Sequence, residues 1–108
     1  MAQTQPKLTA EEQIEILIDV VQQGVQEGTI QGEGNLKAAV EKLKVFSNLL
    51  TLSQELIDAG YTEYALEILI TAEKKCDGQK SPKDFIEGEG VAEVNTLINE
   101  LIDALQSQ

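Results

Sequence analysis

Few residues of this 108-residue chain could carry chemistry. The single cysteine, Cys76, has Lys74 and Lys75 beside it, and neighbouring cations favour the nucleophilic thiolate. It is also expected near a helix C-terminus, where the macrodipole opposes negative charge, and it shares helical spacing with Ala65 and Ala72, so it reads as a core residue. Histidine is absent, which removes the commonest general base, the usual serine and cysteine triads, and most zinc or di-iron bundle sites. Glu11, Glu15 and Asp19, or Glu63 and Glu67, recur at the spacing of a solvated helix face. Within 77–89, Asp77, Gln79 and Ser81 alternate as in a calcium loop, but Pro82 stands where that loop bends on glycine and Gly88 where its closing glutamate belongs. No catalytic residue, metal site or cofactor is expected.

The pattern Ile-x-Gly-Glu-Gly occurs twice, at 30–34 and 86–90, each time before a helical segment. Backbone amides at a helix start attract anions. Here Glu33 and Glu89 would repel a phosphate, no Gly-Lys-Ser/Thr follows, and the alternation of a preceding strand is missing. The element therefore reads as structural: Ile30 and Ile86 enter the core, the glycines turn the chain, and each glutamate complements a positive helix N-terminus by about 0.3 kcal/mol.

The elements that must position these residues are helices. Leu, Ile, Ala, Glu, Gln and Lys dominate, with two Phe, two Tyr and no Trp, so the core is aliphatic and helix propensity is high. Residues 1–8 read as a flexible lead and 9–108 as one domain. Thr9 and Glu12 have capping-box spacing and open a helix over 10–27, in which Ile14, Leu17, Ile18, Val21 and Val25 face inward. A long helix over 36–59 follows, with an inward seam of Leu36, Val40, Leu43, Phe46, Leu50 and Ile57. Gly60 stops it, and a third helix over 62–76 follows, whose inward face is Ala65, Ile68, Leu69, Ala72 and Cys76. Ser81 before Pro82 can start one helical turn, and a last helix over 91–106 carries a clean apolar stripe. The expected fold is an all-α, antiparallel four-helix bundle.

Internal similarity adds a choice of readings. Glu-Ile-Leu-Ile recurs at an offset of 52, the glycine element at 56, and Glu-Leu-Ile-Asp-Ala at 45. The shared order fits a duplicated helical hairpin whose first copy has about three extra turns in its second helix; Leu/Ile/Glu-rich helices also generate such matches by chance. Equivalent conformations at Gly34 and Gly90 would favour duplication. Separately, Leu49, Leu52, Ser53, Leu56, Gly60, Ala65, Leu69 and Ala72 have the spacing that resembles a tetratricopeptide-like hairpin over about a quarter of the chain. Tyr61 and Asp77 depart from that pattern, and no neighbouring repeat matches, so the segment reads as a closely packed helix pair.

Net charge is −11 and uneven: 1–34 holds six carboxylates against one lysine, 35–60 is balanced, and 88–108 holds four carboxylates and no lysine. Such a field repels nucleic acid and anionic lipid, and all eight cations are Lys, which lack the bidentate guanidinium fork. No apolar run approaches the length of a membrane span, and one thiol fits a reducing compartment, so a cytoplasmic protein is expected. The first functional expectation is a non-enzymatic interaction protein, an assembly subunit or a homodimer, with Phe46, Leu49 and Leu52 as its apolar interface. The alternative is an acidic inhibitor or antitoxin-like protein. It would cover a basic nucleic-acid-binding target by charge mimicry through Glu12, Glu15, Asp19, Glu93, Glu100 and Asp103.

Overall fold

Thr9 caps the first helix. Its hydroxyl accepts from the Glu12 amide at 3.1 Å while the Glu12 carboxylate accepts from the Thr9 amide at 2.9 Å, closing the capping box of α1 (Ala10–Glu27). In the computed structural model, which describes residues 8–78 and 84–107, α1 is followed by β1 (Gln31–Gly32), α2 (Leu36–Asp58), α3 (Thr62–Lys74), β2 (Ile86–Glu87) and α4 (Val91–Gln106). The turn expected at Ser81–Pro82 and the calcium-like positions 79–82 lie outside the described residues, as does most of the expected N-terminal lead.

Two helix ends follow the same rule. After α1, Gly28 takes φ +80°, its amide donates to the Val25 carbonyl and the Thr29 amide to that of Gly24. After α2, Gly60 takes φ +88°, its amide donates to Ile57 and the Tyr61 amide to Leu56. Both are Schellman closures, in which a left-handed glycine lets two orphan carbonyls find donors. The four helices pack against one another as an all-α bundle, with the expected bounds met at the first and last helices and α2 and α3 ending slightly early. Phe46, Ile14, Leu17, Leu50, Leu69, Ile98 and Leu101 form its dry centre, each such side chain stabilising by about 1.5–3 kcal/mol relative to exposure. Ser53, Ala65 and Ala72 are fully buried where α2 and α3 make the most extensive helix pair, and the Ser53 hydroxyl donates to the Leu49 carbonyl at 2.9 Å.

The two glycine elements meet each other, which their sequence does not announce. β1 and β2 pair antiparallel with Gln31 opposite Glu87 and Gly32 opposite Ile86, and the ladder is extended by the Glu33 amide donating to the Phe85 carbonyl at 3.0 Å. Gln31 and Glu87, directly opposed, are 56 residues apart, the spacing of the repeated element itself. Ile30 and Ile86 are buried as expected.

Three expectations need correction. Gly34 takes φ +103° ahead of the cap residue Asn35, whereas Gly90 is right-handed at φ −82° and itself caps α4, so the twin glycines are not conformational equivalents. The Asn35 carboxamide can accept the Ala38 amide at 3.0 Å, while the residue at the matching position of the second element is Val91, which cannot cap. Next, α2 has 23 residues against 16 in α4, an excess of about two turns rather than three. Finally, Leu36 and Val40 are exposed, not part of the seam, and Val25, expected to face inward, is exposed where α1 ends. Phe46, Leu50, Ser53 and Ile57 are buried at the same spacing as Val94, Ile98, Leu101 and Leu105, but ten residues of α2 precede Phe46 and three of α4 precede Val94. The excess is thus all N-terminal. Leu36 and Val40 stand about a quarter to a third of a turn off the Phe46 line, so they leave the buried face.

Candidate interaction surfaces

The groups with reactive potential are held in structural roles. Cys76 is buried, its thiol donates to the Glu73 carbonyl at 3.6 Å and accepts from Asn95 Nδ2 at 3.7 Å, and burial pushes its pKa from 9.0 up to about 12. Such a thiol is the inverse of an activated nucleophile. Burial also pushes the Asp84 carboxyl up; its Oδ2 accepts from the Gly78 amide at 3.0 Å and ties the α3 exit to β2. Lys75 lies over the Phe85 ring at 3.8 Å and packs the same corner. Among the described residues, no cluster of three acidic or cysteine side chains is arranged to hold a metal ion.

The glycine elements are occupied by protein. A Cβ at Gly32 would meet the Ala39 backbone, and one at Gly88 would meet the Thr29 carbonyl, so the glycines exist for loop-on-helix and loop-on-loop approach. The Gly90 amide donates to the Thr29 carbonyl at 2.9 Å instead of pointing into an open cradle. Glu33 accepts from Lys42 Nζ at 2.7 Å as a specific ion pair.

Of the expected apolar interface, Phe46 is fully buried and so is unable to contact a partner, Leu49 is half-buried against the core, and Leu52 is 42% exposed. The uncovered apolar surface lies earlier on α2. Leu36 is 83% and Val40 58% exposed, the two largest exposures among the aliphatic side chains of the helices. They border a groove of about 500 Å³ between the end of α1, the first loop and α2, whose walls include Val25, Ala39 and Leu43. Lys37 and Lys44 flank this ridge, exposed and outside any ion pair among the described residues. Periodicity alone counted Leu36 and Val40 as core; their rotation from Phe46 and the company of lysines were the available signals.

All six carboxylates of the expected acidic face are exposed, but they do not form one patch. Glu12, Glu15 and Asp19 lie along α1, and hydrogen bonding from Thr9 holds the Glu12 carboxyl below its ordinary range. Glu100 and Asp103 join Glu11, which had been assigned only to a solvated face, around a cleft of about 790 Å³ between the first turn of α1 and the last turns of α4. Glu93 lies elsewhere on α4, lining a small hollow with Glu27 and Gly90. The cleft also contains Leu8, Ala10, Ala104 and Gln13, whose Oε1 is buried without a donor. Around that end, described residues 8–19, 51–67 and 99–107 hold ten carboxylates and no lysine, whereas the loop end holds nine carboxylates and all five described lysines.

No helix among the described residues is long and apolar enough to cross a membrane. Comparison with known protein families, curated proteins and solved structures finds no match to this chain.

Proposed function

We propose that this protein is a non-enzymatic interaction subunit that works in a reducing, cytoplasmic setting and docks another protein through the N-terminal half of α2. The observation that carries this reading is the 83% exposure of Leu36 beside Val40 on a ridge bordering an apolar groove. An aliphatic ridge held out on a rigid helix costs solubility and gains nothing for the fold, so a partner that covers it accounts for its presence. Affinity capture from the source cell, run in parallel with Leu36→Asp and Val40→Asp, tests it: a discrete species held by the native chain should be lost from both variants while their helical circular dichroism is unchanged. Equal capture by all three would overturn the reading.

A second reading rests on the ten carboxylates without a lysine at the end opposite the loops. There the protein would cover a basic surface, as a nucleic-acid mimic does. Binding of this kind weakens steeply between low and physiological salt and falls on Glu100→Gln with Asp103→Gln. A partner whose affinity ignores salt sinks it.

A further inference from the structure

We infer that the partner of the α2 ridge is the acidic cleft of a second copy of this chain, giving head-to-tail association. The inference rests on the interaction reading above and names the occupant.

The two surfaces are complementary in charge. The ridge carries two exposed aliphatic side chains with Lys37 and Lys44, outside any ion pair among the described residues, and Glu41 beside them. The cleft is concave, with Leu8, Ala10 and Ala104 among its lining and Glu11, Glu100 and Asp103 as its acidic residues. The two surfaces lie toward opposite ends of a molecule about 52 Å long, so they can meet only between copies.

Charge also selects the symmetry. A twofold contact of ridge with ridge places Lys37 and Lys44 against themselves, and one of cleft with cleft gathers carboxylates; both are opposed by like-charge repulsion. Ridge into cleft brings Lys37 and Lys44 against carboxylates, which lowers the repulsion between copies of a chain with a net charge of −11. Such a heterologous contact leaves one free ridge and one free cleft on every assembly, so growth continues until a ring closes.

Sedimentation equilibrium of the full chain over a wide concentration range tests this. The weight-average mass should rise with concentration past the dimer, less so in high salt. Leu36→Asp should weaken association about tenfold or more. Lys37→Glu with Lys44→Glu should abolish it, and so should Glu100→Lys with Asp103→Lys. Mixing these last two proteins should restore it, because each then offers the other a ridge and a cleft of opposite sign. All the altered residues are exposed, so circular dichroism should be unchanged. A native chain that stays monomeric, a mass that stops at the dimer, or a mixture that fails to associate overturns the inference. If the native chain is monomeric yet its capture of another protein depends on Leu36, the docking reading stands and the head-to-tail inference falls. If neither association nor capture depends on Leu36, both fall.

Discussion

The two halves of this molecule, α1–loop–α2 and α3–loop–α4, use one five-residue pattern in different ways. In the first, Gly34 is left-handed, Asn35 caps the helix with its side chain, and Glu33 is clamped by Lys42. In the second, Gly88 is the left-handed residue at φ +120°, Gly90 caps without a side chain, and the loop is secured through the first half, on the Thr29 carbonyl. Both loops share the β1–β2 ladder, and beyond it the first is held by Asn35 and Lys42 of its own segment. The second adds the bond from the Gly90 amide to the Thr29 carbonyl of the first. Identical residues thus take different backbone states, because the hydrogen-bond partner of each amide is set by contact and not by the local pattern alone.

The largest effect should separate the helices of the two halves. Phe46→Ala should cost about 3–5 kcal/mol and Val94→Ala, at the matching buried position of α4, about 2 kcal/mol, measured by urea unfolding. Equal losses would mean that the first half does not dominate the core.

Gly88→Ala sharpens the contrast between loops. It forces a left-handed alanine whose Cβ meets the Thr29 carbonyl, and should cost about 3 kcal/mol or more. Gly34→Ala, strained but with its nearest contact at 3.4 Å, should cost about 1–2 kcal/mol. A reversed order in the denaturation midpoints would show that the second loop is the less constrained.

Cys76 and Gly24 are 52 residues apart, the offset of the repeated Glu-Ile-Leu-Ile, and both are buried, but Gly24 makes room for Ile30 while Cys76 fills its own site. The folded thiol titrates near 12, above its ordinary 9.0, so the neutral form favours folding: this contribution is complete below pH 9 and is lost as pH rises from 9 toward 12. Relative to Cys76→Ala, the native chain should lose stability in that window by up to about 1.4 kcal/mol per pH unit. In native buffer at pH 8 the thiol should react with a disulfide reagent only as fast as the region opens.

Asn35→Ala should cost about 1 kcal/mol and fray the start of α2, seen by amide exchange, with no corresponding side-chain cap to remove from α4. Smallest of all, Glu33→Gln should change stability by less than about 1 kcal/mol, since the pair with Lys42 is partly solvated, and the change should vanish in high salt.

These differences also mark what could be read without a structure. The starts and stops of the helices were legible because capping and termination are local: Thr9 with Glu12, Gly28 and Gly60 each act within one turn of the helix end they serve. Most buried positions of α1, α3 and α4 were legible because period and burial coincide there, Ile14, Leu17, Val21, Ala65, Leu69 and Ala72 among them, although Val25 at the end of α1 is exposed. On α2 they part. A long helix keeps its apolar rhythm past the point where neighbours can cover it, so Leu36, which looked like core, is exposed, and Phe46, placed both in the seam and at a candidate interface, is fully buried. The acidic cleft was half visible, since Glu100 and Asp103 stood out by charge, but their meeting with Glu11 and Gln13 required α1 and α4 to lie side by side.

The amino-acid sequence by itself determined that this chain makes four amphipathic helices with particular ends, that its core is aliphatic, and that it has no histidine to work with. Those properties depend on residues within a few positions of one another, where the covalent chain already supplies proximity. Tertiary structure alone decided that the two glycine elements pair, that their twin glycines adopt different backbone states, and which end of α2 stays bare. Each of these depends on contacts between residues tens of positions apart, and in such contacts burial and hydrogen-bond satisfaction override local preference.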